Sequence, residues 1–258
     1  VSRRSPAPAP VVMFDLDDTL MAHRAAVAAG ITLHMRELAY DGDGTAASVL
    51  WHELEEQHYH SYLAGRLTFE GQRRARARDF AVAHGDELDE LAAGAWFDRY
   101  FERYRESWSL HDDALPALDA LALALPGVRL GIITNGELDF QSAKLERLGI
   151  RDRFEHVIAS GDVGATKPDA EIFRVAIERF AAATPVGRAV YIGDRFETDA
   201  MGAARAGLIG VWLNRHGAAH ATDLPDEAAA ARVAASPVVL EIAGLDELPA
   251  LLAVRLAD

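Results

Sequence analysis

The chain is predicted to be an α/β protein, a doubly wound parallel sheet of the Rossmann type into which an all-helical domain is inserted. Three observations predict this. Four short apolar runs, at 11–14, 128–133, 189–192 and 209–213, have the length and continuity of strands buried on both faces. The later runs alternate with helical patterns, as crossover connections between parallel strands require. From about His23 to His111 there is no strand-like run at all, only apolar spacing of helical period, so a helical unit interrupts the core after its first strand.

In chain order, the opening VSRRSPAPAP, 1–10, is rich in Pro and Ala and is expected to be a disordered leader. The apolar VVMF behind it ends at Asp15 and is too short for a signal peptide. Residues 11–22 and 112–258 are assigned to the core domain and 23–111 to the helical domain. Within the latter, 46–62, 69–83 and 87–108 have helical period, and Trp96, Phe97, Tyr100, Phe101 and Tyr104 recur as its expected core. In the core, helices are expected at 141–148, closed by Gly149, at 169–180, at 198–206, closed by Gly207, and at 245–252. Weaker strands are expected at 157–159 and 238–242, and the Ala-rich 218–235 reads as a surface loop or short helix.

Composition narrows the chemistry. With 258 residues, 50% hydrophobic and 26% charged, the chain is globular rather than disordered, collagenous or coiled. It has no cysteine, which excludes disulfides, a thiolate nucleophile and Cys-ligated metal centres, so catalysis must use oxygen or nitrogen. The net charge of −14 opposes nucleic acid and anionic membrane surfaces as partners. No run approaches the roughly 18 apolar residues of a membrane span, and a cytoplasmic enzyme is expected. Nothing in the sequence speaks to oligomeric state.

Three of the strong strands end in polar clusters at their carboxyl ends, the edge where open α/β sheets bind ligands. VVMF runs into Asp15-Leu16-Asp17-Asp18-Thr19, RLGII into Thr134-Asn135-Gly136, and RAVYI into Gly193-Asp194 with Asp199 beyond. A fourth element, Lys167-Pro168-Asp169, opens a helix. Asp15 and Asp17, two apart, can face one crevice while Leu16 points into the core. The carboxylates of Asp15, Asp17 and Asp194 would repel one another unless a divalent cation sat among them, and an oxygen-only ligand set favours magnesium. Such a cation could orient a phosphate for attack by a carboxylate. Thr134 and the backbone at Asn135 and Gly136 could then bind phosphoryl oxygens, with Lys167 as a point charge. Of the 26 Lys and Arg residues only Lys144 and Lys167 are lysines, and retention of lysine at 167 in an arginine-using chain argues for a compact three-donor ammonium there.

The segments FDLDDTL, ITNG, KP and IGDRFETD, in this order and with a helical insertion after the first, resemble the four motifs of the haloacid dehalogenase (HAD) superfamily. The insertion resembles the helical cap of its first cap class. The resemblance implies Asp15 as the nucleophile that becomes aspartyl-phosphate. Asp17 would be general acid and then general base, with its main-chain carbonyl on magnesium. Thr134 and Lys167 would hold the phosphoryl group, Asp194 would be a metal ligand, and Asp199 would stand behind it. Because dehalogenases and phosphonatases of this superfamily lack the second aspartate, Asp17 favours phosphate ester hydrolysis. TNGELDFQSAKLERLGI and GDRFETDAMGAARAGL look most like phosphatases of nucleoside monophosphates or N-acylneuraminate 9-phosphate. A phosphosugar mutase and a non-catalytic phospholigand-binding protein of the same fold stay open.

In the helical domain, Arg73, Arg74, Arg76 and Arg78 read mainly as a solvated face, with Arg73 and Arg74 the candidates to contact substrate. Asp41-Gly42-Asp43-Gly44 lacks the fifth and sixth positions of a calcium loop and reads as a turn, and His52, Glu56 and His60 as a solvated stripe.

Overall fold

The structure, a computed structural model, describes residues 7–217 and 239–256, and the Ala-rich segment at 218–235 lies outside them. The chain forms two compact units, Val1–Met21 with Leu110–Asp258, and Ala22–Ser109.

The first unit is a parallel sheet of β1 (Ala9–Phe14), β2 (Arg129–Thr134), β3 (His156–Ala159), β4 (Val186–Gly193), β5 (Ile209–Leu213) and β6 (Val239–Ile242), in the order β3-β2-β1-β4-β5-β6. Val11, Val12, Met13 and Phe14 are fully buried, which is why β1 reads as an unbroken apolar run. The two weaker strand signals are β3 and β6, four residues each at the two edges of the sheet. Among the described residues the α-helices of this unit are α5 (Ala114–Ala124), α6 (Leu138–Arg147), α7 (Ser160–Val163), α8 (Ala170–Ala181), α9 (Gly202–Arg205) and one at Leu248–Arg255. Phe173, Ala176 and Phe180 of α8 pack on Val11, Met13, Ile133, Ile158 and Tyr191 of the sheet.

Several expected boundaries shift. The leader does not extend to residue 10, because Ala9 and Pro10 already belong to β1 and the Ala9 N–H donates to Pro185 O at 3.1 Å. The register shifts between Ala9 and Val11, so Pro10, which has no N–H, falls at an irregularity of a central strand. α5 has Ala or Leu on nearly every side and a Pro in its first turn, so no period marks it. In place of one helix over 198–206, a π turn at Phe196–Met201 precedes α9.

The second unit consists of α1 (His23–Glu37), α2 (Gly44–Leu63), α3 (Phe69–Ala83) and α4 (Glu90–Glu106). Asp43, Thr68 and Asp89 accept backbone N–H groups at the starts of α2, α3 and α4, so the Asp-Gly repeat is a turn and helix cap. Trp51, Phe80, Trp96, Phe97, Tyr100 and Tyr104 are buried together, with Trp51 and Tyr100 ring centroids 4.6 Å apart. Arg76 departs from the solvated face predicted for it. Only 3% exposed, it lies over the Trp51 ring and donates to Glu55 Oε1 at 2.7 Å and Trp51 O at 3.2 Å.

Candidate active site

β1 lies between β2 and β4, where the winding of the sheet reverses, the place at which open α/β sheets bind ligands beyond the carboxyl ends of their strands. The chain leaves these strands at Phe14, Thr134 and Gly193. Topology therefore brings Asp15, Thr134 and Asp194 to one edge. Leu16 is fully buried, as the alternation of Asp15, Leu16 and Asp17 predicts.

Lys167 joins them from the loop before α8. Its buried Nζ donates to Asp15 Oδ1 at 2.6 Å, Tyr191 Oη at 2.8 Å and Asp199 Oδ1 at 2.8 Å, three acceptors for the three protons of an ammonium. Burial alone would depress this ammonium, but Asp15 and Asp199 outweigh it and raise the pKa above the lysine range. Asn135 holds the backbone of the same residue, accepting from Lys167 N at 2.8 Å through Oδ1 and donating from Nδ2 to Lys167 O at 3.2 Å.

The converging carboxylates differ from the expected trio. One oxygen each of Asp15, Asp194 and Asp199 lies within 4.8 Å of the others, the only such group among the described residues. Asp199 is thus part of the cluster rather than behind it. The Asp17 carboxylate turns to α6 instead, where Lys144 Nζ donates to its two oxygens at 2.7 and 2.8 Å and Gln141 Nε2 to Oδ2 at 3.1 Å. The site therefore holds a second lysine, Lys144 on Asp17, besides the Lys167 that Asp15 and Asp199 share. Burial, with Asp199 and Asp17 adding to it against the pull of Lys167, pushes the Asp15 carboxyl up to about 7. Burial and the neighbouring Asp199, Asp15 and Asp18 push Asp194 well above the usual range. Two buried carboxylates that share the Lys167 ammonium, Asp15 and Asp199, and the partly exposed Asp194 form an all-oxygen set that suits a hard divalent cation.

Thr134 is buried, and its Oγ1 accepts from Gln141 Nε2 at 2.8 Å. Gly136 does not present the open donor expected of it. Its N–H donates to Ser160 Oγ at 2.8 Å, and its φ of +133° is one that L side chains rarely adopt. Of the helical-unit candidates, Arg73 lies over the Phe69 and Phe101 rings and pairs with Glu70, and Arg74 pairs with Glu90 at 3.3 Å.

Sequence reasoning passed over Gln141, Lys144, Ser160 and Tyr191. A signal existed for Lys144, since the argument from lysine scarcity that selected Lys167 applies to it equally.

A family model for haloacid dehalogenase-like hydrolases matches residues 9–207. The pyrimidine 5'-nucleotidase YjjG of Escherichia coli is 35% identical over 132 residues, 46% of this chain and 58% of that protein, so the chain spans little more than half of that relative. The ribulose-1,5-bisphosphate 5-phosphatase of Halopiger xanaduensis is 32% identical over 241 residues, 88% of this chain and 93% of that protein. The magnesium-bound crystal structure of the HAD-hydrolase YfnB from Bacillus subtilis shares the fold, with a TM-score of 0.75 at 22% identity over 95% of this chain and 99% of that one. Among the described residues no helix is long and apolar enough to cross a membrane. With its aspartates, threonine and lysine gathered at one sheet edge, and with the family model covering most of its length, the chain belongs to the haloacid dehalogenase-like hydrolases.

Proposed function

We propose that the protein is a phosphomonoesterase. It hydrolyses a small phosphorylated metabolite, a nucleoside monophosphate or sugar phosphate, through an aspartyl-phosphate intermediate, and it requires magnesium. The observation that carries this reading is the cluster of Asp15, Asp194 and Asp199 with Lys167 Nζ 2.6 Å from Asp15. The relatives named as a nucleotidase and a sugar-bisphosphate phosphatase support the substrate class.

In this reading an Asp15 carboxylate oxygen attacks phosphorus and the bond from phosphorus to the ester oxygen breaks. Asp17 gives its proton to the departing oxygen. Lys167 neutralises charge beside the nucleophile and, with the Thr134 hydroxyl, holds phosphoryl oxygens. Water then gives a proton to Asp17 and attacks the same phosphorus, the acyl-phosphate bond breaks, and the Asp15 carboxylate and inorganic phosphate are released. Magnesium, held by Asp15, Asp194 and the main-chain carbonyl of Asp17 with Asp199 beside them, would supply counter-charge between nucleophile and phosphate. The motif residues touch only the phosphoryl group, so we assign choice of leaving group to the helical unit, with Arg73 and Arg74 as candidate contacts.

The test is phosphate release across a panel of phosphorylated metabolites, with magnesium and after exhaustive chelation. Release restored by magnesium supports the reading. Full activity after chelation contradicts the metal requirement, and conversion of a sugar phosphate without phosphate release makes the protein a mutase.

A further inference from the structure

Gln141 and Lys144, three residues apart on α6, share a helix face, and both are buried at 2% exposure. An ammonium that deep is costly without a partner, and its partner is Asp17, with the Phe140 ring 4.7 Å from Nζ. Contact with both Asp17 oxygens fixes the plane of the carboxylate as well as its position. Gln141 Nε2 then ties that carboxylate to the phosphoryl-binding side of the site, lying 3.1 Å from Asp17 Oδ2, 2.8 Å from Thr134 Oγ1 and 3.1 Å from Asn135 O.

From this we infer that Lys144 is a positioning residue for the acid/base step, holding Asp17 in a set orientation relative to Thr134 through the Gln141 bridge. This rests on the phosphatase reading and adds to it a residue outside the four sequence motifs. The geometry explains the second lysine. A guanidinium is wider than the ammonium that Lys144 seats, 2% exposed, against Asp17 and the Phe140 ring. Lys144 acts through Asp17, so its loss should be felt where proton donation matters most, with poor leaving groups.

The experiment is a double-mutant cycle on the full chain, comparing wild type, Lys144→Met, Asp17→Asn and the double variant against an alkyl phosphate and dinitrophenyl phosphate. Lys144→Met should lower kcat for the alkyl phosphate on the order of 100-fold, the lower end of what a general acid contributes, with KM changed less than about twofold. The loss with dinitrophenyl phosphate should be much smaller. In the Asp17→Asn background the same change should cost less than about twofold more, because residues acting as one unit are non-additive. Lys144→Gln, which keeps a donor, should recover part of the activity. Equal losses for both esters, or a full multiplicative loss in the double variant, would overturn the inference. A crystal structure of Lys144→Met gives a readout without activity. A turned Asp17 carboxylate supports the inference, and one still seated as in wild type overturns it. A wild-type protein inert toward every phosphate ester would defeat the phosphatase reading instead, and the crystal structure would still decide whether Lys144 positions Asp17.

Discussion

The Asp199 carboxylate occupies the place where a side chain on Gly193 would stand: a Cβ there would lie 2.3 Å from Asp199 Cγ and 2.4 Å from Oδ2. The last residue of β4 is a glycine because the carboxylate that shares Lys167 with Asp15 must lie against the strand. Gly193→Ala should push Asp199 away from Lys167. It should lower stability by about 1–3 kcal/mol, the usual cost of overpacking, and lower kcat for every ester alike. Denaturant melts and kinetics check this, and an unchanged kcat would show that Asp199 need not contact Lys167.

Lys167→Arg should be damaging although the charge is kept. The three acceptors of Asp15, Tyr191 and Asp199 surround a compact ammonium, and a planar fork cannot meet all three. Loss of one charge-stabilising donor of this kind costs on the order of a hundred- to a thousandfold in kcat. Steady-state kinetics with a near-normal kcat would reduce Lys167 to a helix-start residue.

What the sequence made legible and what it hid divide along a physical line. Asp15, Thr134 and Asp194 could be found because strand ends fall together whatever the side chains do, and strands are readable as apolar runs, while Lys167 was marked by its place before a helix and by the scarcity of lysine. Lys144 could not be placed, because on a helix of mixed composition a lysine looks solvated until the crevice side of that helix is known. The convergence of Asp199 on Asp15 depends on the π turn at Phe196–Met201, which an α-helical reading of the same residues does not contain. Gly136 was misjudged for a related reason, since Ser160 lies 24 residues away and only the pairing of β2 with β3 brings its hydroxyl to that N–H.

The arginines of α3 should separate by burial. Arg76→Ala leaves Glu55, 18% exposed, without the guanidinium that, with His23 and His52, holds its carboxyl well below the usual range against the opposing effect of burial. Breaking such a pair typically costs about 3–5 kcal/mol. Arg74→Ala removes an exposed pair with Glu90 and should change stability by less than about 0.5 kcal/mol. If Arg74 contacts the leaving group, that variant shifts relative kcat/KM among metabolites while hydrolysis of a small aryl phosphate stays constant. Thermal melts and the substrate panel together decide both points.

His34 on α1 should make stability sensitive to acid. Its ring is buried against Trp96, with centroids 4.3 Å apart, and neither nitrogen has a hydrogen-bond partner among the described residues. Burial, followed by Arg99 and Arg103, lowers its pKa from 6.5 to about 4. The unfolded chain therefore binds the proton more readily, and this stabilisation, complete above pH 6.5, is lost as pH falls toward 4. By linkage the loss amounts to about 3 kcal/mol. His34→Leu should flatten that part of the Tm-against-pH curve relative to wild type, and parallel curves would contradict the assignment.

The central claim is that Asp15 carries the phosphoryl group during turnover. Its most direct measurement is rapid acid quenching of the enzyme with a phosphate ester of good leaving group, borohydride reduction of any acyl-phosphate, and mass-spectrometric mapping of the modified residue. Label at Asp15, absent in Asp15→Asn and still formed in Asp17→Asn, is the predicted result. Turnover with no trapped adduct, or label at Asp17 or Asp194 instead, would contradict the account.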